Sequence, residues 1–197
     1  MKKTKIMAII AALFVTCAYS NEVYIEQVGS STTVTITQQG SDNKIGTNII
    51  PVYIGSGSNT VTIDQIGSMN VLAMVVNGAS TNVTLSTTGS GNEMEVQCGT
   101  STASSCSGSN ITQTIVGDNN VTKQLLGSGA NHTSTMTVTG DTNTVTHTST
   151  STGTTSATIT VNGNTNTVGV TQSGTLQQTV VVDSTGNNNN INIVQSN

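Results

Sequence analysis

The sequence predicts an all-β chain folded as a β-solenoid, with about seven strand-turn-strand repeats of 22–28 residues stacked into two parallel sheets. Three observations predict it. The unit Gly-x-x-Asn returns at Gly40/Asn43, Gly67/Asn70, Gly89/Asn92, Gly117/Asn120, Gly140/Asn143, Gly163/Asn166 and Gly186/Asn189, at intervals of 27, 22, 28, 23, 23 and 23 residues. A near-fixed period of that size marks a repeat architecture. Apolar and polar residues alternate on both sides of each unit, the period-two signature of a strand with one buried face. Composition agrees: with 34% hydrophobic and 2% aromatic residues the chain is poor in core-forming side chains, and at 7% charged it lacks the charge of plain disorder.

Residues 1–20 stand apart. Lys2, Lys3 and Lys5 precede the apolar run Ile6–Val15, and Ala18-Tyr19-Ser20 forms a small-x-small cleavage site. This is the pattern of a secretory signal peptide, its apolar run too short to span a bilayer. The mature chain is then residues 21–197, with Lys44 and Lys123 against nine acidic residues, a net charge of −7 (2 − 9). Such a charge repels nucleic acid and anionic membrane, and no membrane span remains after cleavage. Removal of Cys17 leaves Cys98 and Cys106, an even pair in an exported protein, which favours a disulfide over two free thiols.

The first arm of each repeat carries its apolar residues six and four positions before the glycine. They read Val34/Ile36, Val61/Ile63, Val83/Leu85, Ile111/Gln113, Ser134/Met136, Ala157/Ile159 and Val180/Val182. The second arm carries them two and four positions after the asparagine, as in Leu72/Met74, Met94/Val96, Val145/His147, Val168/Val170 and Ile191/Ile193. Gly and Asn suit the turn between arms because both tolerate positive φ. A second turn leads to the next repeat, often with its own Gly and Asn, as in Gly55–Asn59, Gly78–Asn82 and Gly127–Asn131. Val23–Val28 reads as an unpaired arm before the first full repeat. Seven rungs at the usual strand spacing give a rod roughly 35 Å long.

Two repeats hold insertions. Pro51 lies in the 27-residue repeat, where a bulge or loop tolerates it, and Cys98–Cys106 brackets the insertion of the 28-residue repeat. A bridge there closes a loop worth about 2–3 kcal/mol. The expectation is an insertion pinned to the rod's side that adds little to the core.

Chemistry-bearing residues do not converge. His132 and His147 lie in different rungs with no ligand cluster, and the nine acids are spread along the chain, so neither a catalytic site nor a metal or cofactor site is predicted. Ser and Thr without a neighbouring base read as strand formers. The polar residues that carry information are amides. Gln38 and Gln65 stand two before their glycines, and Gln172 and Gln195 stand six after Asn166 and Asn189, all on the inward parity. Stacked rungs align such amides into ladders that satisfy one another.

With Gln38-x-Gly40-x-x-Asn43, Gln65-x-Gly67-x-x-Asn70 and the later Gln172 and Gln195, the chain resembles the curlin repeat family, the subunits of bacterial curli amyloid. That family's pattern is Ser/Thr, then Gln-x-Gly-x-x-Asn, then a Gln about six residues on. The first-arm Gln is replaced elsewhere by Thr87, Ile115, Val138, Val161 and Ser184. The resemblance implies a secreted or cell-surface structural subunit that self-assembles into an extracellular amyloid fibre of biofilms, with secretion and nucleation accessory proteins as further partners. The expected partner is a second copy of the chain, joined end to end. The repeat pattern begins at Val23 and still runs at Ile191–Val194, leaving no residues for a cap. Two alternatives stand beside this reading. A solenoid rod can serve as an adhesin or virion or surface scaffold, and the pairs Thr35/Thr37, Thr112/Thr114, Thr135/Thr137 and Thr158/Thr160 resemble the Thr-x-Thr array of ice-binding proteins.

Overall fold

A computed structural model describes residues 20–27, 31–46, 52–55, 57–76, 80–98, 106–127 and 131–197. Residues 1–19 of the signal-peptide segment, Val28, Gly78 and Pro51 lie outside the described residues. In chain order the strands are β1 (Glu22–Val23), β2 (Ile25–Gln27), β3 (Thr33–Gln39), β4 (Lys44–Ile45), β5 (Val52–Ile54), β6 (Thr60–Ile66), β7 (Val71–Val76), β8 (Asn82–Thr88) and β9 (Glu93–Cys98). They continue as β10 (Asn110–Val116), β11 (Val121–Leu126), β12 (Thr133–Thr139), β13 (Thr144–Ser149), β14 (Thr155–Asn162), β15 (Thr167–Ser173), β16 (Gln178–Thr185) and β17 (Asn190–Ser196).

The strands alternate between two parallel sheets, a β-solenoid as the period predicts. A ten-stranded sheet runs from β1 and β2 through β4 and β5, β7, β9, β11, β13 and β15 to β17. A seven-stranded sheet runs from β3 through β6, β8, β10, β12 and β14 to β16. Each seven-stranded-sheet strand and the arm that follows it make one rung, from β3 with β4 and β5 to β16 with β17.

Stacking is in register. Val34, Val61, Val83, Ile111, Ser134, Ala157 and Val180 form one inward column, and Ile36, Ile63, Leu85, Gln113, Met136, Ile159 and Val182 form the next. Register is firm because a slip of one residue would turn every apolar side chain of a strand to solvent. On the opposite face of the same sheet, Thr35, Thr62, Thr84, Thr112, Thr135 and Thr158 stack as an unbroken threonine column.

The leading arm differs from expectation. It is not unpaired: β1 pairs with β4 and β2 with β5, so it is a half-rung laid on the first full rung. The 27-residue repeat absorbs its excess between β4 and β5. β7 pairs Leu72 with Ile45 and Val75 with Tyr53, so eight steps of chain face three, an excess of five. Backbone bonds close over the gap, with Gly46 N–H donating to Leu72 O and Val52 N–H to Tyr24 O.

Cys98 and Cys106 form a disulfide, their Cα atoms 5.2 Å apart. The bridge lies deeper than the sequence reading placed it, while residues 99–105 of the insertion lie outside the described residues. Both half-cystines are fully buried within the apolar core rather than on the rod's side. Cys98 continues the inward column of Ile54 and Val76, and Thr81 Oγ1 donates to Cys106 O, so the base of the insertion is part of the interior.

That interior is two apolar bodies. One runs from Ile45 to Leu126, and the other from Met136 to Val182. Side chains such as Ile63, Leu85, Met136 and Ile159 are essentially inaccessible. Each contributes about 1.5–3 kcal/mol of burial. Between the two bodies the rungs of β10 to β13 turn polar side chains inward: Gln113, Thr122, Gln124, Ser134, His147 and Ser149, all buried.

Candidate functional site

The candidate site is the set of groups that hold rung to rung and end at the rod's two edges. It starts in the Gly-x-x-Asn turn. At Gly117 φ is 131°, and a Cβ there would overlap the Gly140 carbonyl, its carbon 2.7 Å away. Glycine is thus demanded both by conformation and by the close passage of the next turn. The second positive-φ residue is not the motif asparagine, as the sequence suggested, but the one before it. Asp42, Met69, Asn119, Thr142, Thr165 and Asn188 hold φ of 56–60°, with Gly91 at 68°.

The motif asparagines do something else. From Asn43 to Asn166 they are buried and point into the rod. Asn120 Oδ1 accepts both the backbone N–H (2.9 Å) and the Nδ2–H (3.0 Å) of Asn143, whose Nδ2 also donates to Gly163 O at 2.8 Å. Asn143 Oδ1 accepts the same two donors from Asn166. The pattern repeats upward through Asn92, Asn70 and Asn43. It begins at Asn21, whose Oδ1 accepts Asn43 N–H at 3.0 Å. Nothing in the Gly-x-x-Asn spacing marks Asn21, because the residue three before it is Ala18. At the other end Asn166 Oδ1 takes Asn189 N–H at 2.9 Å, but Asn189 Nδ2 turns back to Ser184 Oγ and Thr185 O of its own rung.

A second, exposed ladder runs beside it. Asp118 Oδ1 accepts Ser90 N–H, Asp141 Oδ1 accepts Asp118 N–H, Asn164 Oδ1 accepts Asp141 N–H and Asn187 Oδ1 accepts Asn164 N–H, at 2.7–2.8 Å. Each side chain replaces the water that a turn N–H would otherwise need.

The expected glutamines occupy the two ends. Gln38 Nε2 donates to Gln65 Oε1 at 2.9 Å, and Gln172 Nε2 to Gln195 Oε1 at 3.0 Å. They do not form one continuous column, since Gln38 and Gln65 lie in the seven-stranded sheet and Gln172 and Gln195 in the ten-stranded one. The middle is held differently. Gln113 Nε2 donates to Thr122 Oγ1, Gln124 Nε2 to Thr112 O, and His147 bridges Ser134 and Gln172. The second turn is no repeat of the first. Asn59 is buried and bonds Gly55 O and Thr81 N–H, whereas Asn82 is an exposed strand residue and Asn131 an exposed turn residue.

Charge contributes little to the stack. Lys44 meets Glu22 at 3.6 Å and Lys123 meets Glu95 at 2.9 Å, all half exposed. Such pairs are worth about 0–1 kcal/mol. The Glu95 hydrogen bond and charge raise the Lys123 pKa. No three His, Cys, Asp or Glu among the described residues stand together as metal ligands, and none of the described residues forms a helix able to cross a membrane.

At the edges the interior pattern reaches solvent. Val34 and Ile36 of β3 and Val23 of β1 are half-buried, as are Ile191 and Ile193 of β17, while their counterparts within the rod are fully covered. The outer N–H and C=O rows of β1, β3, β16 and β17 have no neighbouring strand among the described residues. Neither a curated protein nor a solved structure matches the chain. Residues 18–45, from the leading half-rung through the first Gly-x-x-Asn turn, match the family model of the curlin associated repeat, so over that stretch the chain is similar to a curlin repeat.

Proposed function

We propose that the chain is a secreted structural subunit that joins end to end with copies of itself into a curli-like extracellular fibre, after cleavage following Ser20. The observation that carries this reading is the ladder's two open ends. The last link of the ladder is Asn189 N–H on Asn166 Oδ1, and Asn21 leads the same column at the opposite edge, so the Asn21 of a next copy would fall on Asn189. An uncovered sheet edge templates another strand. Continued in register, β17 would meet the β1 and β2 of a second copy, and β16 would meet its β3. Ile191 would then lie on Val23, Ile193 on Ile25 and Val182 on Ile36, covering the half-buried apolar residues at both edges. The similarity to curlin repeats supports the same reading, since that family builds extracellular fibres. A net charge of −7 spread along the rod opposes association weakly at physiological salt.

Electron microscopy and sedimentation of the purified mature chain test it, with Ile193→Pro as the control. Proline there removes a ladder donor on the last strand, so filaments should be lost while the far-ultraviolet β signal stays. A wild type that remains monomeric at high concentration would overturn the reading and leave the threonine column as the better lead.

A further inference from the structure

The interior of the β10–β13 rungs is where the rod's apolar filling gives way. Gln113 and Gln124 are buried there with an orphaned Oε1 each, and the next rung brings in Ser134 and His147. The register stacks His147 between Gln124 and Val170. Its Nδ1 lies 2.8 Å from Ser134 Oγ and its Nε2 3.0 Å from Gln172 Oε1. Gln172 gives its own Nε2–H groups to Gln195 Oε1 and Ser156 O, so its oxygen is the acceptor and His147 Nε2 carries the proton. Nδ1 then holds a lone pair filled by the Ser134 hydroxyl. His132, also buried, sits in the connection before β12, in the column between Ser109 and Thr155. Its Nδ1 lies 2.6 Å from Thr155 Oγ1, and its Nε2 has no partner among the described residues.

We propose that this polar layer is an acid-sensitive joint: two neutral imidazoles complete the interior at neutral pH, and their protonation opens the rod between its two apolar bodies. The inference rests on the fold and stands whether or not the chain forms fibres.

Among the described residues no counter-ion is at hand for a buried imidazolium. From Val96 to Val182 the charged side chains are only Asp118, Lys123 and Asp141. β10, β12, β13, β14 and β15, which pack around the two histidines, contain no Asp, Glu, Lys or Arg. On β11, Lys123 faces outward to Glu95 of β9, beside Glu93, and Asp118 and Asp141 are exposed in the turns. A proton on Nδ1 of His147 would also force the Ser134 hydroxyl to turn away, and a charged His132 would carry a ring N–H without an acceptor. Burying an unpaired charge is among the costliest changes an interior can undergo.

Burial lowers the pKa of both histidines. For His147 the Gln172 hydrogen bond opposes this shift, and the nearby His132 adds to it. A depressed folded-state pKa means that the unfolded chain takes up protons first as pH falls. The contribution is therefore complete above the unfolded histidine value, about 6.5, and is lost below it until the folded values are reached. In that window the folding equilibrium constant drops by about tenfold per pH unit for each histidine.

Urea unfolding of the wild type between pH 7.5 and 5 should show a folding constant at least ~10-fold lower at the acid end. Hydrogen exchange should rise first in β10–β13. His147→Gln with His132→Asn should flatten the dependence. Equal wild-type stability at both pH values, or an unchanged slope in the double variant, overturns the proposal. If the variant does not fold, the imidazole proton resonances of the wild type decide: midpoints below about 6.5 sustain the joint, and midpoints at or above it overturn it.

Discussion

From Asn70 to Asn143 each motif asparagine uses its side chain four times: its oxygen takes two donors from the rung below, and its amide reaches the asparagine oxygen of the rung above and the glycine carbonyl of the following turn. Asn143→Ala would strand the backbone N–H and Nδ2–H of Asn166 and the Gly163 carbonyl, all close to the interior. The expected cost is about 3 kcal/mol, read as a lower urea midpoint with unchanged slope. A loss below about 0.5 kcal/mol would mean that the ladder contributes no more than a surface turn. The sequence displayed the Gly-x-x-Asn period plainly, but not this role. An asparagine beside a glycine reads locally as a turn residue, and its partners in the rungs above and below lie 19–28 residues away. The same distance hid the Asp118–Asp141–Asn164–Asn187 column. His147 was legible in part: its inward parity follows from the alternation Val145-x-His147, while its bonds to Ser134 and Gln172 arise only from stacking.

At the scale of elements the alternation placed strands well, because each needs one apolar face and a one-residue slip would expose it. The pairs Val83/Leu85 and Ala157/Ile159 sit at the centres of β8 and β14. The insertions were legible as excess length and the second also by its bridge, but the burial of that bridge was not. Cys98 lies on the inward parity below Val76, which carries the bridge into the core. Removing it therefore does more than free a loop. Replacing both cysteines by Ser buries two hydroxyls in the first apolar body, and the expected destabilisation is about 2–5 kcal/mol. Thermal unfolding of Cys98→Ser/Cys106→Ser against the wild type checks this. An unchanged midpoint would mean that the bridge contributes nothing to the core.

For the whole molecule, the chain is a stack whose neighbours interact in one dimension, so an internal rung and an added copy obey the same rules. In the proposed fibre the two edges would meet by repetition of the internal register rather than through a special interface. The proposed assembly joins copies head to tail in one register. In that register position 190 of one molecule lies opposite position 22 of the next, as Asn190 lies opposite Thr167 within the rod. The direct measurement is oxidative cross-linking of a Glu22→Cys/Asn190→Cys variant, resolved on a non-reducing gel. End-to-end stacking predicts a ladder of covalent oligomers that continues beyond the dimer, with each single variant stopping at the dimer or below. A double variant that stays monomeric under oxidation, at concentrations where the wild type forms filaments, would contradict the register and with it the proposed mode of assembly.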